Sequence, residues 1–368
     1  MEPMAERRYE YAPAGTLPGL LQRGRGLGAV MAAEDPSSAA DLVYGCIRWE
    51  WRWDSVDDRE LYLARLIRDL ELPIGPVVEM LAGDEDTHDR AVEVLELLAL
   101  GGSIEARDAL RVHLPEEEQE EVPASKCQPD RPDPTAELPS SALVALLADP
   151  DEPESRKINA LRVLYRREPE PGLVPLVPSL GMADGEYPLP LLPGVIRKLG
   201  ALAMPAARDW VTSDTRWLAW EGLAVLAEHG ESQDIPALIA ELERDWVDRT
   251  WCGPDALARG LTRFGTKAAD AVSLLRRFWL WTPHSYERPA YLTALAALGS
   301  PGMAGAYTES LWDCEAQARL LGVEHAPDRP EVRARLGYLR EDPLEEPEIR
   351  KAAAARLAGL SSAASPVE

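Results

Sequence analysis

Thiols, imidazoles and carboxylates that stand close together are the first places to look for chemistry. Asp313 and Cys314 are adjacent, His88 lies between Asp86 and Asp89, and His284 precedes Ser285 and Tyr286. An Asp–Cys pair needs a base to generate the thiolate, which is the nucleophile. No His lies within a helical turn of Cys314, and neighbouring residues on a helix point in different directions. His88 reads as a solvated turn residue and His284 as a capping or exposed residue at a helix start. Cys46, Cys127, Cys252 and Cys314 are scattered without a Cys-x-x-Cys pair, which argues against both a zinc site and a disulfide framework. The HExxH, GxSxG, GxxxxGK[ST] and EF-hand patterns are missing. Gly24, Gly26 and Gly28 follow no predicted strand, and their spacing fits neither a P-loop nor a dinucleotide fingerprint, so they read as a turn between short helices. No catalytic residue, cofactor site or metal site is expected.

Charge narrows the classes of partner. The 368 residues hold 63 acidic and 39 basic side chains, a net of −24. Such a field repels phosphate backbones, so nucleic acid is not an expected ligand. A protein or peptide carrying basic residues suits it better. The first residues lack the apolar core of a signal peptide, and no apolar run reaches about 18 residues, so a cytoplasmic protein with no membrane span is expected.

Any functional side chains must be positioned by helices. Leu and Ala dominate, Phe is almost absent, and no window alternates apolar and polar residues for the length of a strand. The stretch from Val77 to Gly102 matches Leu143 to Glu168 at a shift of 66 residues. Arg90 falls on Arg156, Leu95 on Leu161 and Leu98 on Leu164. Each copy reads as the end of one helix, an acidic turn and a second helix, with Asp86 or Thr87 capping that helix in the first copy. Two periods of about 33 residues fit inside the shift, the mark of a helical repeat array. Turn glycines recur at Gly200, Gly230, Gly265 and Gly299, each closing an apolar-periodic helix. Pro73 is expected at the first position of another helix.

The expected organisation is an N-terminal extension with short helices (1–40), a first set of repeats (41–114), an acidic, Pro-rich loop or linker (115–139), a second set of repeats (140–360) and a disordered tail (361–368). The segment 115–139 has too little apolar content to offset its ordering entropy.

These features resemble HEAT repeats, including the HEAT-like units of phycobilin lyases. The resemblance rests on the helix–turn–helix period, on small residues within second helices and on an Arg near their start: Arg59, Arg90, Arg156, Arg288 and Arg350. It implies an all-α, right-handed superhelical solenoid of HEAT-like hairpins. It also implies a ladder between those Arg residues and turn carboxylates such as Asp57, Asp86 and Asp151.

In such an array the second helices line the concave face. Their outward positions would be Tyr62, Glu93, Asn159, Glu221 and Tyr291. The 11 Trp residues cluster near inter-helix turns. Trp51 and Trp217, each beside an Arg, are the first candidates for an aromatic binding ridge. The resulting expectation is a non-enzymatic scaffold or adaptor that binds a protein or peptide. A HEAT-like DNA glycosylase would instead need pairs such as Trp217 with Asp214 or Trp251 with Asp255, together with a basic groove that the charge disfavours. A bilin-lyase-like chaperone is suggested by the repeat type alone.

Overall fold

A computed structural model of the chain describes residues 10–49, 51, 59–113 and 134–363 (backbone only at 134 and 361–363). The described residues are all-helical, with no strand beyond an isolated bridge between Gly181 and Pro188. No helix among them is long and apolar enough to cross a membrane. The chain divides into two compact units, one made of residues 1–119 and 275–368 and the other of residues 120–274. Most of the expected 115–139 linker and part of the tail lie outside the described residues.

The first unit begins with α1 (Leu17–Gln22), α2 (Gly26–Glu34), α3 (Pro36–Arg48), α4 (Arg59–Asp69), α5 (Gly75–Met80), α6 (Glu85–Leu100) and α7 (Ile104–His113). The second holds α8 (Ser140–Ala148), α9 (Glu154–Tyr165), α10 (Leu192–Leu199), α11 (Met204–Trp210), α12 (Arg216–His229), α13 (Ile235–Asp248) and α14 (Pro254–Thr262). Helix α15 (Val272–Trp281) carries the chain back to the first unit. There α16 (Arg288–Ala297), α17 (Met303–Ser310), α18 (Ala316–His325), α19 (Pro330–Glu341) and α20 (Pro347–Ala363) complete the fold.

Local chemistry explains the helix ends. Asp84, rather than Asp86 or Thr87, caps α6: its carboxylate accepts the Thr87 N–H at 2.9 Å, filling one of the donors a helix start leaves open. Pro76, not Pro73, occupies the first turn of α5. Gly200, Gly265 and Gly299 adopt positive φ as turn residues, whereas Gly230 has φ −61°. Gly230 is instead constrained by space, because a Cβ there would stand 2.3 Å from the Leu226 carbonyl oxygen. Leu95 and Leu161, the expected core positions, are fully buried.

Two helix–turn–helix units match one another in local geometry. Helices α11 and α12 and, 100 residues later, α17 and α18 share the same turn pattern between them. A Cβ on Gly222 would press on Ala207 O and Val211 N at 2.8 and 2.9 Å; on Gly322 it would press on Tyr307 O and Leu311 N at 2.8 and 3.0 Å. Both glycines let the second helix lie against the first. Cations also close helix C-termini, where carbonyls lack partners and the helix dipole favours positive charge. Lys198 Nζ donates to Tyr165 O at 2.8 Å, and Arg263 to Ala227 O at 2.8 Å and Gly230 O at 3.1 Å; Arg356 donates to Val323 O and Ala326 O. Each cation stands 30–36 residues after the carbonyls it meets.

Stacking of neighbours does not account for the first unit, whose two chain segments are bound to each other directly. Arg65 Nε donates to Asp342 Oδ2 at 2.9 Å and Arg65 Nη2 to Glu345 Oε2 at 3.1 Å. Arg319 grips the same Glu345 at 2.8 and 2.9 Å, and Arg68 reaches Asp342 at 3.1 Å. The turn carrying Gly24 and Gly26 wedges against α15 and α17. Cys314 N–H donates to Gly24 O at 2.9 Å, Arg25 Nε meets Glu309 Oε1 at 2.7 Å, and Arg288 Nη1 donates to Arg23 O at 3.0 Å. A Cβ on Gly26 would stand 1.9 Å from Glu309 O, so the residue is a glycine for backbone approach and not for phosphate binding. Gly26→Ala should lower the stability of the full chain by about 1–3 kcal/mol through overpacking. The drop should appear as an earlier urea transition with unchanged far-UV circular dichroism in buffer. An unchanged transition would remove this contact from the determinants of the fold.

Candidate functional site

The seven positions singled out from the sequence separate into inward and outward sets. Tyr62 is buried and its hydroxyl donates to Arg25 O at 2.9 Å, so it fastens the Gly24–Gly26 turn and does not face outward. Tyr291 is fully buried, stacked on Phe278 at 5.7 Å, and donates to Glu287 Oε2 at 2.8 Å. Trp217 is buried too, its ring lying against Gly181. These three positions are corrected to the interior, because the helices that carry them are covered on the face expected to be open. Trp51 is half-buried and edge-on to Tyr11, whose hydroxyl donates to the Trp51 carbonyl. It lines a small pocket with Tyr62, Arg59 and Arg90. Asn159 is half-buried and accepts from Arg162. Glu93 is exposed on α6. Glu221 is buried but lines an open groove, described below.

Other expectations change for physical reasons. Asp313 and Cys314 lie in the turn before α18, not within a helix, so both can face one group: Arg288 Nη2 stands 2.6 Å from Asp313 Oδ1 and 3.1 Å from Cys314 Sγ. His284 is fully buried and its ring packs on Tyr286 at 5.0 Å, so it is neither a side-chain cap nor exposed. His88 is half-buried with Nδ1 2.8 Å from Leu81 O. The Arg ladder uses different acceptors from those expected. Arg90 donates to Ile47 O and Arg48 O at 2.8 and 2.9 Å, Arg156 pairs with Glu152, and Asp86 and Asp151 are exposed. Asp57 lies outside the described residues. The aromatic ridge does not form: among the described tryptophans, Trp49 and Trp281 are exposed, and the rest are half-buried or buried.

Three features remain open to chemistry or binding. One is an apolar shelf at the end of α6 and along α7, where Leu100, Ile104 and Val112 are 72%, 68% and 76% exposed. Leu100 and Leu110 line a groove of about 740 Å³ with Glu96, Ala99 and Arg107. Helical spacing puts Glu93 and Glu96 on the Leu100 side of α6.

A second feature is a pair of carboxylates on α13, Glu241 and Asp245, which are 2% and 1% exposed. They sit in register with the buried Leu238 and Leu242, at positions an amphipathic helix would give to apolar residues. Arg216 spans both, at 2.5 Å from Glu241 and 3.4 Å from Asp245. Asp245 Oδ2 is buried without a hydrogen bond. Burial, and then the charge of Glu241, push the Asp245 carboxyl up to about 7 against the opposing Arg216 and Arg244. Acids at core-period positions were the sequence signal for this pair.

The third feature is a groove of about 290 Å³ between α10 and α12. Ile196, Val225 and Glu221 form its buried floor, Pro193, Ala224 and His229 its walls, and Arg197 and Glu228 its exposed rim. No three His, Cys, Asp or Glu side chains among the described residues are grouped to hold a metal ion. No family model matches this chain, and no curated protein matches it either.

The α13 pair makes stability depend on pH. A carboxyl raised in the folded state binds its proton more tightly there than in the unfolded chain. Its contribution is present at low pH and is lost as pH rises through about 7. Asp245→Asn should therefore raise the melting temperature relative to wild type more at pH 8 than at pH 5. Thermal melts of both proteins at the two pH values check this, and an equal difference at both would show that Asp245 titrates normally.

Proposed function

We propose that this protein is a non-enzymatic interaction scaffold of the cytoplasm, built from HEAT-like helical hairpins, that binds another protein through α6 and α7. The helix-closing cations, 30–36 residues after their acceptors, and the matched hairpins α11–α12 and α17–α18 support the repeat reading. The apolar shelf carries the binding reading. Three large apolar side chains, each about 70% exposed on adjoining helices, have an unfavourable hydration that a partner would relieve. Scattered single apolar residues would need no such account. Glu93 and Glu96 beside the shelf favour a partner that combines apolar anchors with Lys or Arg, as an amphipathic helix does. The net charge of −24 acts in the same direction by steering basic partners.

Reversing the polarity of the shelf tests the proposal. The double variant Leu100→Asp, Ile104→Asp should keep its helical spectrum and its melting temperature, because both residues are exposed. It should lose specific partners by about 30-fold, the effect of removing an interface anchor worth about 2 kcal/mol. Tagged wild type and variant would be used to capture proteins from the source cell and compared by quantitative mass spectrometry. A set of captured proteins identical for the two would sink the α6–α7 interface.

A further inference from the structure

The groove between α10 and α12 in the second unit has a composition that packing alone does not explain. Glu221 is 8% exposed. Most buried acids in this protein meet a guanidinium directly: Glu345 has Arg319, Asp313 has Arg288, and Asp234 has Arg208 at 2.9 Å. Glu221 has neither an ion pair nor a hydrogen bond among the described residues, and it lies on the floor of a cavity that opens to solvent. Burial raises its carboxyl to about 7, with Arg197 on the rim opposing the shift only partly. A carboxylate with no internal partner, in a groove open to solvent, is free to accept a cation.

We propose that the α10–α12 groove is a binding site for a single alkyl cation, the ammonium or guanidinium of a Lys or Arg side chain, with Glu221 as its counter-ion. The lining selects this ligand. Ile196, Val225, Pro193 and Ala224 offer aliphatic surface to the methylene stem, and Glu221 accepts the charged end at the floor. An anion is disfavoured because the floor itself is acidic. A metal ion is disfavoured because the floor supplies one carboxylate. The site belongs to the other unit from the α6–α7 shelf and stands whether or not that shelf binds a protein.

The test uses the full chain labelled in its Ile and Val methyl groups, with three small probes titrated separately: the N-acetyl methylamides of lysine, arginine and norleucine. The cationic probes should shift the Ile196 and Val225 methyl resonances saturably, and the neutral norleucine probe should not. Glu221→Gln, which keeps the shape and removes the charge, should weaken cation binding by at least about tenfold. Arg197→Ala removes a like charge from the rim and should tighten binding about threefold. This second variant decides the matter if the first does not fold. Comparing the lysine and arginine probes identifies which side chain the groove prefers. The proposal is overturned if the cations shift these methyls no more than norleucine does, if Glu221→Gln binds as tightly as wild type, or if Arg197→Ala leaves the affinity unchanged.

Discussion

A low-dielectric interior does not tolerate an unpaired charge, and that constraint governs how the two ends of the first unit meet. Asp342 and Glu345 are buried at the loop between α19 and α20, where desolvation opposes their ionisation. The surrounding guanidiniums outweigh it: Arg68 and Arg65 hold Asp342 below the usual carboxylate range, and Arg319 and Arg65 do the same for Glu345. Swapping a whole buried pair for apolar groups is often neutral, whereas removing one partner costs about 3–5 kcal/mol. The network therefore does less to add stability than to reject alternatives. A hydrophobic face can slide by a turn and still be buried. Two carboxylates that must meet Arg65, Arg68 and Arg319 together cannot. The wedge of Gly24 and Gly26 acts in the same way through space instead of charge, because it fits only where the Glu309 carbonyl and Cys314 leave room for a backbone without side chains.

The parts legible in the sequence were those set by local physics. Helical character, the turn glycines Gly200, Gly265 and Gly299 and the burial of Leu95 and Leu161 follow from spacing along a few turns of chain, and each was found where expected. The closure was not legible, because Arg65 and Asp342 stand 277 residues apart and an Arg in an amphipathic helix looks the same whether it faces water or a distant carboxylate. The Arg residues at helix starts were recognised as special, yet their acceptors were misassigned. Arg90 satisfies the open carbonyls ending α3, which any residue type can supply and no sequence pattern marks. The tryptophans misled for a related reason. A bulky ring near a turn can cover the turn or face solvent, and only tertiary packing chooses. Trp217 and Trp279 are buried as a result, and Arg25 lies over Trp279 at 4.3 Å.

Of the groove-facing positions, Glu93 and Glu221 line open surface, whereas Tyr62 and Tyr291 turned inward. A helix covered by neighbours on two sides has a narrow outward stripe. A register drawn from apolar spacing resolves that stripe to about one residue in either direction. Polar identity then decides the outcome. A Tyr can be buried once its hydroxyl finds an acceptor, as Tyr291 does on Glu287 and Tyr62 on Arg25. A carboxylate has no such freedom without a cation.

That asymmetry gives the matched hairpins their use as an internal control. Helices α12 and α18 are built alike down to the glycine against which the first helix packs, Gly222 in one and Gly322 in the other. One residue before that glycine stands Glu221 in α12 and a half-buried leucine, Leu321, in α18. The hairpin therefore forms with an apolar residue at this place, and nothing in its backbone calls for an acid. Two residues earlier the difference runs the other way: α18 carries Arg319, buried and paired with Glu345, where α12 has Ala219. Arg319 is accounted for by the closure of its unit. Glu221 has no corresponding internal partner among the described residues, and its carboxylate opens onto a groove with an aliphatic lining. A charge that the repeat does not require, placed where desolvation works against it, is best accounted for by what enters the groove.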